Sequence, residues 1–289
     1  MARTRELREM LAKGQVVALG AYDAMTARLA ENVGAQSVYV SGYAAAAVRL
    51  GKPDLGLVSQ TEMADHIGRI CASTLKPVLA DADTGYGGPL NVQRTVLLWE
   101  RVGAAGLHIE DQVFPKRCGH VAGKAVIPIP EMVQKLRAAI EAREDPDFLI
   151  IARTDAVAVE GIDHAIERCK RYSDTNVDGF FIDAPQSVEQ LEKISAELKP
   201  LGRTLAFNCV RTMKSPIVTA AVLADIGFNL IFYPIEAMLT AFKAIDQTYR
   251  ALLSTGSTDA VADRMATFAE FNHFIGFSDY LALESKFAI

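Results

Sequence analysis

The stretch that decides the fold is Pro77-Val78-Leu79-Ala80-Asp81-Ala82-Asp83-Thr84-Gly85, in which a short apolar run ends on two acids and a glycine. Nearly continuous apolar runs of this length are typical of parallel strands buried on both faces. Runs of the same kind recur along the 289 residues. The predicted strands are Val16–Gly20, Ser37–Ser41, Pro77–Asp81, Gly106–Glu110, Phe148–Arg153, Asp178–Asp183, Thr204–Asn208 and Asn229–Tyr233.

The segments between these strands have the apolar spacing of amphipathic helices. They are Ala24–Val33, Gln60–Ser73, Leu90–Val102, Ile129–Arg143, Gly161–Ser173, Ser187–Leu198, Pro216–Ile226 and Ala237–Thr255, with Ser187 and Ser215 as candidate caps. Regular alternation of strand and helix predicts an α/β protein with a (β/α)8 TIM-type barrel. The rival is an open doubly wound sheet, but no Gly-x-Gly-x-x-Gly fingerprint follows the first strand.

Composition and charge exclude several classes of protein. Half of the residues are apolar, 22% are charged and the net charge is −5, which suits a globular protein and not a basic nucleic-acid-binding surface. The longest apolar runs are strand-sized, so no membrane span is expected. The N-terminus carries charges without a following apolar segment, which predicts no signal peptide and a cytoplasmic location.

The cysteines lack the spacing of a zinc site or a redox pair. We therefore expect free thiols in a reducing compartment, with Cys71, Cys169 and Cys209 as packing residues. A single barrel domain is predicted over residues 1–289, with 259–289 as a helical extension rich in phenylalanine. That extension is expected to pack either across the base of the barrel or against another subunit.

Polar residues follow almost every predicted strand, at the end where barrel enzymes carry their chemistry. Asp81, Asp83 and Glu110 come from adjacent strands, so their carboxylates are expected to converge and to need a cation between them. Oxygen ligands without histidine or cysteine favour Mg²⁺, with Mn²⁺ as the alternative ion. Solvated loop acids are the competing interpretation.

Arg153 also stands at a strand end, where its guanidinium suits bidentate binding of a substrate carboxylate. A salt bridge to a neighbouring strand-end acid is the alternative role. The loops after the second and fourth strands, from Gly42 to about Ser59 and from Gln112 to about Pro128, are the longest. Long loops over a barrel mouth are often lids that exclude water.

The loop after the fourth strand contains Lys116-Arg117-Cys118-Gly119-His120, a thiol preceded by two cations and followed by an imidazole. Positive charges favour thiolate over thiol, so a lowered pKa is expected for Cys118. A basic surface loop with an incidental cysteine is the alternative. The position of the segment above the predicted acids favours a role in catalysis.

Several of these motifs together resemble the isocitrate lyase/phosphoenolpyruvate mutase superfamily. The resemblance covers about residues 15 to 240 and rests on Asp81-Ala82-Asp83-Thr84-Gly85-Tyr86-Gly87, Ile109-Glu110-Asp111-Gln112, Lys116-Arg117-Cys118-Gly119-His120, Ala21-Tyr22-Asp23-Ala24, Val40-Ser41-Gly42-Tyr43, Pro53-Asp54-Leu55-Gly56 and Ala152-Arg153-Thr154-Asp155. The cysteine motif marks the carbon–carbon lyases, which act on isocitrate, 2-methylisocitrate or 2,3-dimethylmalate, and their relatives that act on oxaloacetate.

The resemblance implies Mg²⁺-dependent retro-aldol cleavage of a 2-hydroxy di- or tricarboxylate to pyruvate, or a similar 2-oxoacid, plus a carboxylate. Asp81 would be the main metal ligand, with the other acids holding metal waters, and Cys118 would be the general acid. Tyr43 would take the hydroxyl proton. The implied sets are Asp54, Asp83 and Glu110 for metal waters, and Ser41, Gly42, Gly119, His120 and Arg153 for the 2-oxoacid end. A homotetramer with exchanged C-terminal helices is also implied.

Two positions depart from the lyase pattern and concern the distal part of the substrate. Asp183 stands where glutamate is usual, and Arg211 replaces the acid of an Asn-x-x-Glu motif that begins at Asn208. These changes predict an extra substrate carboxylate or a different substituent. Oxaloacetate hydrolysis or decarboxylation on the same metal site is the main alternative, although Pro234 stands where the hydrolases have serine. A non-catalytic binding barrel is the third.

Overall fold

The computed structural model describes residues 2–117, 123–211 and 215–287. Parallel strands form a closed barrel in which each strand pairs with the next and the last pairs with the first, so the predicted (β/α)8 fold is confirmed. The strands are β1 Val16–Gly20, β2 Ser37–Val40, β3 Val78–Asp81, β4 Gly106–Glu110, β5 Leu149–Thr154, β6 Gly179–Ile182, β7 Thr204–Asn208 and β8 Leu230–Tyr233.

The helices are α1 Arg3–Lys13, α2 Ala24–Asn32, α3 Gly42–Leu50, α4 Gln60–Ser73, α5 Pro89–Arg101, α6 Ile129–Ala142, α7 Val157–Glu160, α8 Ile162–Ser173, α9 Val188–Leu198, α10 Ala220–Ile226, α11 Glu236–Thr255, α12 Phe268–Ile275 and α13 Phe277–Ser285. Short 3-10 helices cover Lys199–Leu201 and Asp259–Arg264. The helices that connect consecutive strands bury one apolar face each, as the sequence spacing predicted.

The barrel buries two apolar layers. One lies between the strands and the surrounding helices, and it includes Trp99 and Phe148. The other fills the interior, where Tyr39, Phe181 and Phe232 lie among smaller residues. Because the strands meet apolar groups on both faces, the strand sequences are mainly apolar and lack the alternation of a half-exposed sheet.

Two local predictions were wrong, and one helix was not predicted. The segment after β2 is not a long loop, because its alanine run Ala44–Ala47 continues Gly42 into α3 and Ala44, Ala45 and Ala46 are buried. Helix α1 was not predicted, since only Thr4 and Leu7 of its mostly charged sequence are buried. Helix α10 begins at Ala220, where the Thr219 side chain accepts a hydrogen bond from the Val222 amide, so Ser215 does not cap it.

Contacts between residues divide the chain into two compact units, Met1–Met238 and Leu239–Ile289. In the second unit Thr267 and Glu270 form a capping box at the start of α12, and Gly276 in the left-handed conformation separates α12 from α13. Large apolar side chains in this unit are exposed, among them Phe242, Phe268 and Tyr280 at 70%, 82% and 72%. The predicted single domain with an extension at 259–289 stays a prediction.

Cys71, Cys169 and Cys209 are free thiols, as predicted. Burial raises the pKa of Cys71 to about 12 and that of Cys209 to about 11. These thiols therefore stay protonated near neutral pH and serve packing. Within the described ranges, no helix combines the length and the apolar character needed to cross a bilayer.

Candidate active site

Asp81, the last residue of β3, is almost fully buried at the mouth of the barrel. Its Oδ1 accepts a hydrogen bond from the Asp83 amide at 2.9 Å and its Oδ2 accepts one from the Gly42 amide at 3.1 Å. Burial opposes ionisation, but electrostatic interactions with His108, Lys116 and Arg153 lower the pKa of Asp81 below its usual value. Asp81 is therefore an oriented, ionised carboxylate.

Gly42 brings the chain against this carboxylate. A Cβ at position 42 would lie 2.9 Å from Asp83 Oδ1 and 3.0 Å from Asp81 Oδ2. Any side chain here would displace a carboxylate, so glycine is needed for close approach to the acids. Asp83 itself has a left-handed backbone with φ 46°, which turns the chain out of β3.

His108 lies beneath Asp81 in the barrel interior, and its position was not predicted. Its Nε2 is 2.7 Å from the Tyr39 hydroxyl, and its Nδ1 is 3.6 Å from Asp81 Oδ1. Burial lowers the pKa of His108 to about 4, so the ring is neutral near pH 7. The pattern of alternate inward-facing residues in β4 is the signal that places it under the site.

Lys116 places its ammonium among the acids. Its Nζ lies 2.6 Å from Asp54 Oδ1 and 2.8 Å from Asp83 Oδ1, and its side chain is only 3% exposed. Burial disfavours the charge, but Asp83, Glu110 and Asp54 raise the pKa of Lys116 well above its usual range. Burial in turn raises the pKa of Asp83 to about 6, against the opposing effect of Lys116. Lys116 thus joins the loop after β4 to the loop after β3.

Arg153, the residue before the last one of β5, lies at the centre of the second charged cluster. Its Nε and Nη2 donate to Asp155 Oδ2 and Oδ1 at 2.9 and 3.1 Å, and its Nη2 also lies 3.2 Å from Glu110 Oε2. Asp183 Oδ2 is 3.6 Å away, and the guanidinium carbon lies 5.1 Å from the centre of the Phe181 ring. The salt bridges predicted as the alternative role of Arg153 are therefore present.

Asp111 supports this cluster from below. Its Oδ1 accepts a hydrogen bond from the Asp155 amide at 3.0 Å, and its Oδ2 accepts from Thr154, Tyr172 and Arg168 at 2.7, 2.8 and 3.2 Å. These bonds fix the backbone that carries Asp155. Asp111 has no exposed surface and performs a structural task, which explains why an acid stands directly after Glu110.

The loop between β4 and α6, residues 111–128, is anchored at both ends. Gln112 pairs with Val126 in an antiparallel bridge, and the Ile127 amide donates to the Asp111 carbonyl at 2.8 Å. The Gln112 side chain accepts from the Arg117 amide at 3.0 Å and donates to the Arg117 carbonyl at 2.7 Å. The chain is thereby fixed up to the residue before Cys118.

The remaining predicted site residues differ in their burial and in their contacts with the charged clusters. Ser41 is buried directly before α3, and Asp183 is buried directly after β6, next to Arg153. Tyr43 is 37% exposed, and Asn208 ends β7 with its Oδ1 buried and without a partner in the described part of the chain. Within the described ranges, no hydrogen bond or salt bridge joins Tyr43, Asn208 or Arg211 to the charged clusters. Cys118, Gly119 and His120 lie outside the described residues.

The acids at the barrel mouth suit a metal ion that is coordinated mainly by water better than one coordinated by several protein side chains. Across residues 2–117, 123–211 and 215–287, no three acids, histidines or cysteines are close enough to hold an ion together. Glu110 Oε1 is buried without a hydrogen-bond partner there. A buried carboxylate oxygen of this kind requires a donor. Water on a hard cation would supply it, since Mg²⁺ keeps several waters and takes few direct protein ligands.

Comparison with known proteins identifies the family. Residues 7–253 match the family model described as phosphoenolpyruvate phosphomutase. The chain is 40% identical over 289 residues to 2,3-dimethylmalate lyase of Eubacterium barkeri, covering 100% of this chain and 99% of that one. It belongs to the phosphoenolpyruvate mutase/isocitrate lyase superfamily. The predicted resemblance is therefore confirmed.

Solved structures of superfamily members agree with the fold. An oxaloacetate acetylhydrolase in complex with 3,3-difluorooxalacetate has a TM-score of 0.92 and 33% identity, covering 99% of this chain and 97% of that one. A phosphonopyruvate hydrolase in complex with oxalate and Mg²⁺ has a TM-score of 0.88 and 26% identity, covering 99% of each chain. The superfamily is metal-dependent, and the relative at 40% identity is named a lyase, which supports carbon–carbon lyase activity for this chain.

Proposed function

We propose that this superfamily member cleaves a 2-hydroxy dicarboxylate of the 2,3-dimethylmalate type into pyruvate and a monocarboxylate. One observation carries the proposal: full-length similarity to 2,3-dimethylmalate lyase coincides with two adjacent charged clusters in the barrel mouth. The first cluster, around Asp81, suits a hydrated Mg²⁺ or Mn²⁺. The second, around Arg153, suits the carboxylate of a 2-oxoacid.

Asp81 is the proposed direct ligand of the ion, because its carboxylate is ionised and held by two backbone amides. Asp54, Asp83 and Glu110 would accept hydrogen bonds from the ion's waters. When bound, Mg²⁺ stabilises negative charge on the α-oxygen of the substrate. Lys116 holds Asp54 and Asp83 in place and limits the repulsion between them.

The substrate would lie between the two clusters. Arg153 binds the carboxylate of the 2-oxoacid end, together with Ser41 and the Gly42 backbone at the start of α3. The other proposed binding residues would contact the distal part of the substrate. These are Asp183, which follows β6, Asn208, which ends β7, and Arg211, which lies three residues further on.

The proton transfers are assigned to side chains beside the acids. Tyr43 removes the hydroxyl proton of the substrate, and its position in the first turn of α3 places it next to Gly42. As the carbon–carbon bond breaks, Cys118 donates its proton to the carbon that carries the developing negative charge. Gly119 and His120 follow Cys118 in sequence and are proposed to bind the same end of the substrate as Arg153.

Oxaloacetate hydrolysis is the second candidate, favoured by the fold-level similarity to oxaloacetate acetylhydrolase. The two reactions differ in their products and are separated by one assay. The protein is incubated with Mg²⁺ and, in turn, 2,3-dimethylmalate, 2-methylisocitrate, isocitrate and oxaloacetate.

We expect pyruvate from a 2-hydroxyacid of this panel. Oxalate plus acetate from oxaloacetate would identify a hydrolase, and pyruvate plus CO₂ from oxaloacetate a decarboxylase. Mg²⁺ binding without turnover of any of the four compounds would contradict catalysis and favour a binding barrel.

We further propose that the protein is a homotetramer and that it is located in the cytoplasm. In the tetramer, a second copy would cover the apolar side chains of residues 239–287. Phe242, Phe268 and Tyr280 are each at least 70% exposed, and a second copy would remove them from water. Sedimentation velocity is expected to show the tetramer. A monomer at micromolar concentration would contradict it.

A further inference from the structure

Lys124, on the returning limb of the β4–α6 loop, reaches into the barrel mouth. Its Nζ lies 2.9 Å from Asp155 Oδ1 and 3.9 Å from Asp183 Oδ2, and its side chain is only 1% exposed. A buried ammonium costs free energy unless it is paired, so this geometry requires the carboxylates. Lys124 belongs to none of the motifs that carry the family resemblance, and the sequence analysis assigns it no role.

Asp155 stands between two cations. Its carboxylate accepts two hydrogen bonds from Arg153 and one from Lys124, and its side chain has no exposed surface. Burial opposes its charge, but Arg153 and Lys124 lower the pKa of Asp155 well below its usual range. With its amide held by Asp111, the carboxylate has a fixed position and stays ionised near neutral pH.

Acidic groups outnumber the positive charge of Arg153 in this cluster, and Lys124 offsets part of the excess. Three carboxylates, those of Glu110, Asp155 and Asp183, surround the single guanidinium. Burial raises the pKa of Glu110 well above its usual range, but the two aspartates alone would more than neutralise the guanidinium and repel an incoming substrate carboxylate. Lys124 supplies a second positive charge, which shares Asp155 Oδ1 with Arg153 and also lies near Asp183 Oδ2, and this reduces that repulsion.

We propose that Lys124 is a positioning residue: by binding Asp155 it orients Arg153 and leaves the guanidinium able to bind a substrate carboxylate. The inference rests on the proposed function, in which Arg153 is the carboxylate-binding residue. Lys116 and Lys124 then serve different clusters from the two limbs of one loop. Lys116 supports the metal-binding acids, and Lys124 supports the anion-binding arginine.

Calorimetric titration with oxalate in saturating Mg²⁺ tests this inference without knowledge of the substrate. Lys124→Met is expected to weaken oxalate binding roughly tenfold or more, the scale for removing one partner of a buried charge pair. Mn²⁺ binding, measured by electron paramagnetic resonance, is expected to be unchanged. Lys124→Arg is expected to restore most of the oxalate affinity.

Lys170→Met is the matched control, because Lys170 forms an exposed ion pair with Glu197 at 2.7 Å and lies outside the site. Thermal unfolding of each variant monitors the fold. Equal oxalate affinity of Lys124→Met and the unaltered protein would overturn the inference, as would no oxalate binding by the unaltered protein. Oxalate binding that depends on Lys124, without cleavage of any compound in the panel, would overturn the proposed function alone.

Discussion

Replacing Asp81 with alanine is expected to lower Mg²⁺-dependent turnover by about a thousandfold or more. The metal is worth several kcal/mol of transition-state stabilisation, and each 1.4 kcal/mol is about tenfold in rate. Asp81 is the acid best oriented to coordinate the metal ion directly, since two backbone amides fix both of its carboxylate oxygens. Steady-state kinetics with a Mg²⁺ titration, on the substrate that the panel identifies, measures the effect.

Asp65→Ala is the matched control for the loss of an aspartate. Asp65 lies in α4 and forms exposed ion pairs with Arg49 and Arg69, away from the barrel mouth. It is expected to keep near-normal turnover, because exposed ion pairs contribute little. Asp81→Ala activity that survives in EDTA would contradict a metal site at Asp81.

Replacing Cys118 with serine is expected to lower turnover by roughly a hundredfold or more, the usual scale for loss of a general acid. A serine hydroxyl is a far weaker acid than a thiol and donates its proton poorly. Oxalate and Mn²⁺ binding are expected to persist, since the described anchors of the loop, Gln112 and Lys116, are unchanged. Single-turnover kinetics separates the chemical step from binding.

Cys209→Ser is the control for a cysteine-to-serine change. Cys209 follows β7, and burial raises the pKa of its thiol to about 11, so it is not expected to transfer protons near pH 7. Its replacement should leave turnover close to normal. If Cys118→Ser behaves like Cys209→Ser, Cys118 has no part in the proton transfer.

The barrel was predictable because a strand buried on both faces has an apolar sequence that few other structures produce. The run Gly106–Glu110 has the same bounds in prediction and structure. Helices that cover little apolar surface were missed. Helix α1 buries only Thr4 and Leu7, and α3 begins with Gly42, which on its own indicates a turn.

The site residues that stand at the ends of strands could be predicted from the sequence. Asp81 and Glu110 end adjacent strands, so their neighbourhood follows from the barrel itself. The ion pairs of Lys116 and Lys124 depend on the path of the β4–α6 loop back into the mouth, and no sequence periodicity specifies that path. The loop was recognised as long, but the partners of its lysines were not.

Carbon-13 NMR of 2,3-dimethylmalate incubated with the protein in D₂O tests the central claim most directly. Cleavage between the hydroxyl-bearing carbon and its neighbour, followed by protonation from an exchanged acid, would give pyruvate and propionate with one deuterium at its second carbon. We predict these two products in equal amounts, with Mg²⁺ and not with EDTA. Unchanged 2,3-dimethylmalate, together with oxalate and acetate from oxaloacetate under the same conditions, would contradict the account.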